Sequence, residues 1–343
     1  MQPHNFLQEV KALAKRINDT IHEELIEPQR EATSVGAGDL AAATVEFAER
    51  GGKRLRGVLA LIGHRAFQPE GSSAYLAAAA IELFHAYLLV HDDIMDSDEV
   101  RRGGPTLHMV FTKQHQSAKL GESLGILGGD LLAAWAQSLL QKAAGASRPG
   151  ALSEFNRAHT RVIFGQKLDV APRISSKAED LAKAHDLKTG EYSFLMPLRV
   201  GALLAGATET QMVPFTAYSL HLGRAFQAKD DLLGMFGDPA KLGKPIGADI
   251  LAGKHNWLVT DVLRNAPESQ ERILQTLDSS EAPETRITKA QAILQETGAK
   301  KRCEAYIARE ISLAVEAIQN KTLAGNTKSF LESLAHFVGD RES

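Results

Sequence analysis

Apolar residues recur at three- and four-residue intervals along nearly the whole chain, as in Leu7, Val10, Leu13, Ile17 and Ile21 near the start and Ile287, Ile293, Ile307, Ile311 and Val315 toward the end. This is the period at which side chains return to one face of an α-helix. No segment carries the alternation of a convincing strand. Breakers separate the periodic stretches at Gln68-Pro69-Glu70-Gly71, Gly103-Gly104-Pro105, Arg148-Pro149-Gly150, Gly237-Asp238-Pro239 and Gly243-Lys244-Pro245. None is long enough to be a linker. The pattern predicts a single all-α domain over residues 1–343, a bundle of about ten or more helices around a central cavity. The most apolar stretch, Ala74 to Val90, is interrupted by Glu82 and His85 and is too short to span a bilayer, so it reads as a buried core helix.

Composition narrows the class only a little. The chain has 343 residues, 44% hydrophobic and 24% charged, with a net charge of -3, which is the profile of an ordinary globular protein without a nucleic-acid signature. Cys303 is the sole cysteine, which excludes an intrachain disulfide and a thiolate metal cluster and fits a reducing, cytoplasmic setting. It reads as a packed side chain. The N-terminal stretch runs through Glu9, Lys11, Lys15 and Arg16, so no apolar run of signal-peptide type is present there.

Two acidic clusters change the picture: Asp92-Asp93-Ile94-Met95-Asp96 and, 138 positions on, Asp230-Asp231-Leu232-Leu233-Gly234. Each follows a long helical stretch, Ala74 to His91 in the first case and Val213 to Lys229 in the second. On a helix Asp92 and Asp96 are one turn apart, which puts both carboxylates on one face about 6 Å apart. Crowded anions at a helix C-terminus, where the macrodipole is already negative, call for a cation. Hard carboxylate oxygens favour Mg²⁺, which shares its sites with water and substrate phosphates. A single cluster also reads plainly as a solvated helix end. Two of them, expected to face one cavity, suit a metal-bridged polyanion better.

Basic residues accompany the acids. Gly51-Gly52-Lys53-Arg54-Leu55-Arg56-Gly57 precedes an apolar run, and Lys53 and Arg56 at the start of the predicted helix make a phosphate site. Arg101-Arg102 follows the first acidic cluster and either neutralises it or, if metal occupies the carboxylates, clamps phosphate oxygens. Lys188-Thr189 and Lys244 are further candidates. His85 lies about two turns before Asp92 on nearly the same face; alone it reads as a core histidine. Trp135 and the alanine-rich stretches read as core packing.

Taken in order, these motifs resemble the trans-isoprenyl diphosphate synthases of the polyprenyl synthetase family. The resemblance runs from Gly51 to about Lys254 and rests on Gly-Gly-Lys-x-x-Arg-Gly at 51 to 57, Asp-Asp-x-x-Asp at 92 to 96 with Arg101-Arg102-Gly103, Gly165-Gln166 with Asp169, Lys188-Thr189, Phe226-Gln227-x-x-Asp230-Asp231 and Gly243-Lys244. It implies the isoprenoid synthase fold and head-to-tail condensation of isopentenyl diphosphate with an allylic diphosphate. The implied metal ligands are Asp92, Asp93, Asp96, Asp230 and Asp231, holding about three Mg²⁺ ions. Arg101, Lys188 and Lys244 would assist at the allylic diphosphate. Lys53, Arg56, His85 and Arg102 would hold isopentenyl diphosphate, and Lys254 joins the substrate-binding set. Thr189, the Lys188 carbonyl and Gln227 would face the allylic cation. By analogy the protein is a homodimer, with small-molecule substrates and neither nucleic acid nor a membrane span as partners.

One position departs from the family pattern, which usually has a third aspartate where this chain has Gly234. Asp238 is a candidate substitute if the following loop folds back. The Asp-Asp-Leu-Leu-Gly form itself resembles short-chain synthases of actinobacterial type. Tyr87, five residues before Asp92, lies about 7.5 Å deeper along the helix. In the family that the chain resembles, a bulky aromatic there followed by a small or aliphatic residue, here Leu88, goes with C20 synthases, so the resemblance implies geranylgeranyl diphosphate as the product, with farnesyl diphosphate as the alternative. A class I terpene cyclase would leave Lys53, Arg56 and Arg102 without a purpose. A non-catalytic regulatory subunit has only Gly234 in its favour.

Overall fold

The computed structural model describes residues 3–170, 183, 185–242, 246–254, 256–277, 280–319 and 323–342. Among these the chain is all-α, with one exception that the periodicity does not announce. Val100–Arg101 pairs antiparallel with Gly104–Pro105 in a two-stranded hairpin. Arg102 and Gly103 both take positive φ, 53° and 75°, which is the two-residue turn whose twist matches a hairpin. Two residues per strand are too few to show alternation, so the expectation of no strand fails here.

Contacts divide the chain into two compact units, Met1–Arg157 with Met196–Met212, and Ala158–Leu195 with Val213–Ser343. In the first, α1 (Pro3–Ser34), α2 (Gly38–Glu49), α3 (Leu55–Arg65), α4 (Ser72–Met95), α5 (Leu107–His115), α6 (Ala118–Ala144), the start of α7 (Pro149–Val170) and α8 (Met196–Leu204) pack together. The buried face of α1 is Phe6, Val10, Leu13, Ile17 and Ile21, whereas Leu7 is 42% exposed. Phe6, four residues before Val10, takes the place the spacing had given to Leu7.

Helix α4 is the centre of this unit, packed on α6, α3 and α1. Ala77 to Ala80, Ile81, Leu83 and Phe84 are sealed from solvent, so the helix is apolar on nearly every side because nearly every side is covered. It is longer than the apolar run suggested. With 24 residues α4 is long and apolar enough to cross a membrane by length and composition, as is α6; 67% of the most apolar window of α4 is buried within the chain. Burial rather than length makes it a core helix.

The second unit holds a π-helix (Asp186–Leu195), most of α9 (Glu209–Phe236), α10 (Pro239–Leu242), α11 (Ala248–Leu251), α12 (Trp257–Asn265), a short 3₁₀ turn, α13 (Gln270–Leu277), α14 (Pro283–Glu296), α15 (Ala299–Ala317) and α16 (Gly325–Asp340). Phe215, Tyr218, Leu222, Ala225, Ala228 and Met235 form the buried stripe of α9. The Tyr218 hydroxyl is fully enclosed and donates to the Leu331 carbonyl at 2.7 Å, which satisfies its polar end and ties α9 to α16. Ile293, Ile307 and Ile311 are buried. Cys303 is a packed side chain, its sulfur 3.5 Å from the Ala228 carbonyl.

Candidate active site

In the first unit, Asp92 and Asp93 occupy the last turn of α4 and Asp96 is its C-cap, with the Asp96 N–H donating to the Asp92 carbonyl at 2.8 Å. Helix geometry then separates the three carboxylates. Asp92 is half-buried and Asp96 exposed, while Asp93 turns inward and is fully buried. Its Oδ1 accepts from Arg101 Nε at 2.7 Å, and Arg101 also reaches Asp98 Oδ2 at 2.9 Å. Burial pushes the Asp93 carboxyl up to about 6, against the opposing pull of Arg101. Burial is the largest single influence on Arg101 and works against its charge, but the bond to Asp93 together with the charges of Asp93, Asp98 and Asp92 outweighs it and raises the pKa. Asp93 Oδ2 is buried with no hydrogen-bond partner among the described residues.

The Arg101-Arg102 pair therefore splits. Arg101 neutralises the acidic cluster, while Arg102, at the hairpin turn, donates to the Arg50 carbonyl at 3.1 Å and lies along Gly52. A Cβ on Gly52, where φ is +120°, would fall 3.2 Å from the Arg102 guanidinium carbon. Arg54 forms the base of this loop. It is buried in the left-handed conformation, bonded to Asn18 Oδ1 and the Ala48 carbonyl, both at 2.7 Å, with Glu82 Oε2 at 3.7 Å. Glu82 Oε1 accepts the Gly57 N–H at 2.7 Å, so the acidic interruption in α4 fixes the start of α3.

Helix α3 begins at Leu55, which places Lys53 in the exposed loop rather than on the helix. A positive φ at both Gly51 and Gly52, followed by the left-handed Arg54, delays helix entry by two residues. Arg56 lies within the first turn, its Nη1 3.1 Å from His85 Nε2. Burial first, then the charges of Arg56, Arg102, Arg54 and Arg101, hold the His85 pKa well below the usual value of 6.5. A neutral imidazole that accepts at Nε2 carries its proton on Nδ1, so His85 adds a hydrogen-bond donor to a cationic cluster without adding charge. Deeper along α4, Tyr87 packs between Phe84 and His91, with ring centroids at 5.5 and 4.8 Å. Leu88 beside it is half-buried, as is Trp135 on α6.

In the second unit the side chains named by the resemblance are ordered by an unusual element. Lys188 and Thr189 lie in the ten-residue π-helix, a rare, wide turn frequent at functional sites. Asp186 anchors its start through two bonds of 2.8 Å from Arg224. Gly190 and Gly223 let this helix approach α9 backbone to backbone, since a Cβ on Gly223 would lie 2.4 Å from Gly190 Cα. The approach brings the Thr189 hydroxyl to 3.3 Å from Gln227 Oε1. Gln227 Nε2 donates to Asp231 Oδ1 at 3.0 Å, and Asp231 Oδ2 accepts the Trp257 N–H at 2.7 Å. Asp231 is 5% exposed. Burial, reinforced by nearby Asp249, pushes its carboxyl up to about 7.

Asp230 is the outward member of this pair, 44% exposed at the side chain, and ion-pairs with Arg341. Arg341 also donates to the Phe226 carbonyl at 3.0 Å and lies 3.9 Å over the Phe226 ring. Neither Arg341 nor Asp249 stands out in the sequence: 111 positions separate Arg341 from its carboxylate partner, and no periodicity marks a single loop residue. Helix α9 continues to Phe236, so Asp230 is not at the helix end. Gly234 is helical with open space around it and has no need of a positive φ. Asp238 does not fold back: its Oδ1 accepts the Ala240 N–H at 2.9 Å and starts α10. Lys188 and Lys254 are half-buried. Lys244 and the Asp169 side chain lie outside the described residues.

Among the described residues no three His, Cys, Asp or Glu side chains converge closely enough to hold an ion alone. Mg²⁺ does not need them to, because it binds through one or two carboxylates, waters and substrate phosphates. Outward Asp92, Asp96 and Asp230 suit that mode, and Oδ2 of Asp93 adds unmet acceptor capacity beside the first motif.

The polyprenyl synthetase family model matches residues 39–294, a span that contains both acidic motifs, the Lys53 to Arg56 segment, His85, Thr189 and Gln227. The chain belongs to the polyprenyl synthetase family. This polyprenyl synthetase is 33% identical over 311 residues to the geranylgeranyl diphosphate synthase of Saccharolobus solfataricus, covering 88% of this chain and 90% of the relative. It is 28% identical to the (2E,6E)-farnesyl diphosphate synthase of Mycobacterium tuberculosis, over 85% of this chain and 80% of that protein. Among solved structures it is similar to the geranylgeranyl pyrophosphate synthase of Corynebacterium glutamicum complexed with isoprenyl diphosphate and magnesium, with a TM-score of 0.86, 29% identity, and coverage of 99% and 100% of the two chains.

Proposed function

We propose that this polyprenyl synthetase is a trans-prenyltransferase that condenses isopentenyl diphosphate with an allylic diphosphate, dimethylallyl, geranyl or farnesyl, to give geranylgeranyl diphosphate. The observation that carries the reading lies within one unit: an acidic helix end with outward Asp92 and Asp96, and a separate basic cluster of Arg56, His85 and Arg102 beside exposed Lys53. Two oppositely built subsites suit two diphosphates, one presented with metal and one bare. A cyclase, with one diphosphate, has no use for the second.

Asp92, Asp96 and Asp230 would hold about three magnesium ions, which stabilise the charge that grows on the departing diphosphate. The chain's own residues do the rest. The Thr189 hydroxyl, the Lys188 carbonyl and the Gln227 amide oxygen turn negative dipole ends toward the allylic cation. Lys53, Arg56, Arg102 and the Nδ1–H of neutral His85 bind the isopentenyl diphosphate and aim its alkene. Lys188, Lys254 and Arg101 add positive charge, with Arg101 acting through Asp93; the resemblance adds Lys244, which lies outside the described residues. The released diphosphate takes the final proton, so no side-chain base is required. Both acidic motifs serve one substrate in this reading, and the whole chain acts as one synthase domain in a cytoplasmic homodimer. Exposed Leu120, Ile126 and Leu127 on α6 are what a second copy would cover.

Purified protein incubated with Mg²⁺, isopentenyl diphosphate and each allylic diphosphate tests this by product chromatography. A C20 diphosphate is expected; a C15 diphosphate, a cyclic hydrocarbon or no product would overturn the assignment at successive depths. Tyr87, wedged between Phe84 and His91, is the proposed stop for the growing chain. Tyr87→Ala should shift products by one or more C5 units toward longer chains while turnover persists; an unchanged profile would dismiss Tyr87 as the stop.

A further inference from the structure

Asp231 carries the strongest expectation that its surroundings do not support, that of a metal ligand. Both of its carboxylate oxygens are committed inside the unit, Oδ2 to the Trp257 N–H at 2.7 Å and Oδ1 to Gln227 Nε2 at 3.0 Å, and the residue is 5% exposed. We propose that Asp231 is a positioning residue: it fixes the side-chain amide of Gln227 so that oxygen, and not nitrogen, faces Thr189 and the allylic cation. This rests on the prenyltransferase reading above.

The inference follows from what each group is able to donate. An ionised carboxylate accepts and does not donate, the bonds from Trp257 and Gln227 both favour that form, and a main-chain N–H only donates. The Trp257 bond therefore fixes Oδ2, and Oδ1 selects the NH₂ end of the Gln227 amide. The opposite end, Oε1, is then the one that meets the Thr189 hydroxyl at 3.3 Å. With its proton turned to Gln227, Thr189 keeps its lone pairs on the other side. An amide turned over by 180° has the same shape but would present the positive end of its dipole. Burial keeps water from correcting the error. Gly223, Gln227 and Asp231 lie one turn apart on the same stripe of α9, so the glycine contact that admits the π-helix and the acid that orients the amide belong to a single face.

Asp231→Asn tests this directly. The Trp257 N–H cannot turn over, so the oxygen of the substituted side chain takes that bond and its NH₂ group meets Gln227, inverting the amide. Expected is a fall in kcat of about 100-fold, comparable to removing one preorganised dipole from an active site. KM for both substrates should stay within about threefold. Mg²⁺ affinity, measured by titration calorimetry with inorganic pyrophosphate, should also stay within about threefold, whereas Asp230→Asn weakens it by more than about tenfold. The charge-exchanged double variant Gln227→Glu with Asp231→Asn restores an oxygen facing Thr189 at unchanged net charge, and kcat should return to within about tenfold of wild type.

A loss of Mg²⁺ affinity in Asp231→Asn equal to that of Asp230→Asn would overturn the proposal. So would a folded double variant no faster than the single one. If Asp231→Asn alone fails to fold, the double variant is read against wild type by the same kcat criterion. If the wild type elongates no allylic diphosphate, the prenyltransferase reading fails separately, and the calorimetric comparison still decides whether Asp231 holds metal.

Discussion

The two Asp-Asp pairs are identical in sequence and are held in different ways. In each, the first aspartate faces outward and the second is buried, because successive residues on a helix point about 100° apart and only one of them can face solvent. The buried partners then diverge. Asp93 is met by a guanidinium, delivered by the hairpin that follows α4. Asp231 is met by an amide and a main-chain N–H, with no cation bonded to it among the described residues. One motif compensates a buried charge with an opposite charge, the other with dipoles. The outward acid of the second pair, Asp230, is ion-paired with Arg341. A repeated dipeptide thus gives two outward candidate ligands and two inward side chains, one bonded to Arg101 and the other to Gln227.

The largest effects should come from the outward acids. Asp92→Ala and Asp230→Ala should each lower kcat by several orders of magnitude in steady-state assays with Mg²⁺, since each removes a ligand whose ion acts mainly on the transition state. A loss below about tenfold, roughly 1.4 kcal/mol, would remove that residue from the ligand set.

Next in size is the basic cluster of the first unit, where Arg56 meets His85 beside Arg102 and Lys53. Lys53→Ala and Arg56→Ala should raise KM for isopentenyl diphosphate by about tenfold or more, as loss of a charged hydrogen bond of about 1.5–3 kcal/mol implies. KM for the allylic substrate should change much less. Equal shifts for both substrates would mean that the cluster is not a separate subsite.

The same cluster contains a titratable group. The folded-state pKa of His85 is depressed by burial and by Arg56, Arg102, Arg54 and Arg101. Its contribution to stability is therefore fully present above the unfolded value of about 6.5 and is lost as pH falls toward the depressed folded value. Thermal melts of wild type and His85→Gln should converge near pH 8 in pH sensitivity, and wild type should lose several degrees more between about pH 6.5 and 5. Parallel losses in the two proteins would show that His85 is not held neutral. The smallest effect belongs to Arg341→Ala. With Asp230 44% exposed the ion pair itself is worth about 0–1 kcal/mol, and loss of the Arg341 contacts to the Phe226 carbonyl and ring adds to it, so the melting temperature should fall by a few degrees. Mg²⁺ affinity with inorganic pyrophosphate should rise by a few-fold as the competing guanidinium goes. Weaker binding would instead make Arg341 part of the anion site.

Periodicity and residue chemistry, read along the chain, determined the all-α class, the core role of α4, the buried Cys303 and the candidate metal and diphosphate residues. Those are properties of local spacing and side-chain type, and a helix places i, i+3 and i+4 together wherever it sits. Only the tertiary structure decided which of two adjacent aspartates points outward, that Lys53 precedes its helix, that Asp238 caps α10, and that Gln227 is gripped from Asp231 while Asp230 is paired with Arg341. Each of these depends on a partner far away in the chain or on a backbone torsion. The Thr189 to Gln227 contact exists because two glycines 33 positions apart, Gly190 and Gly223, leave room for two backbones to meet. No spacing rule along one strand of sequence carries that information, because the contact is made by the absence of two side chains in elements that only folding brings together.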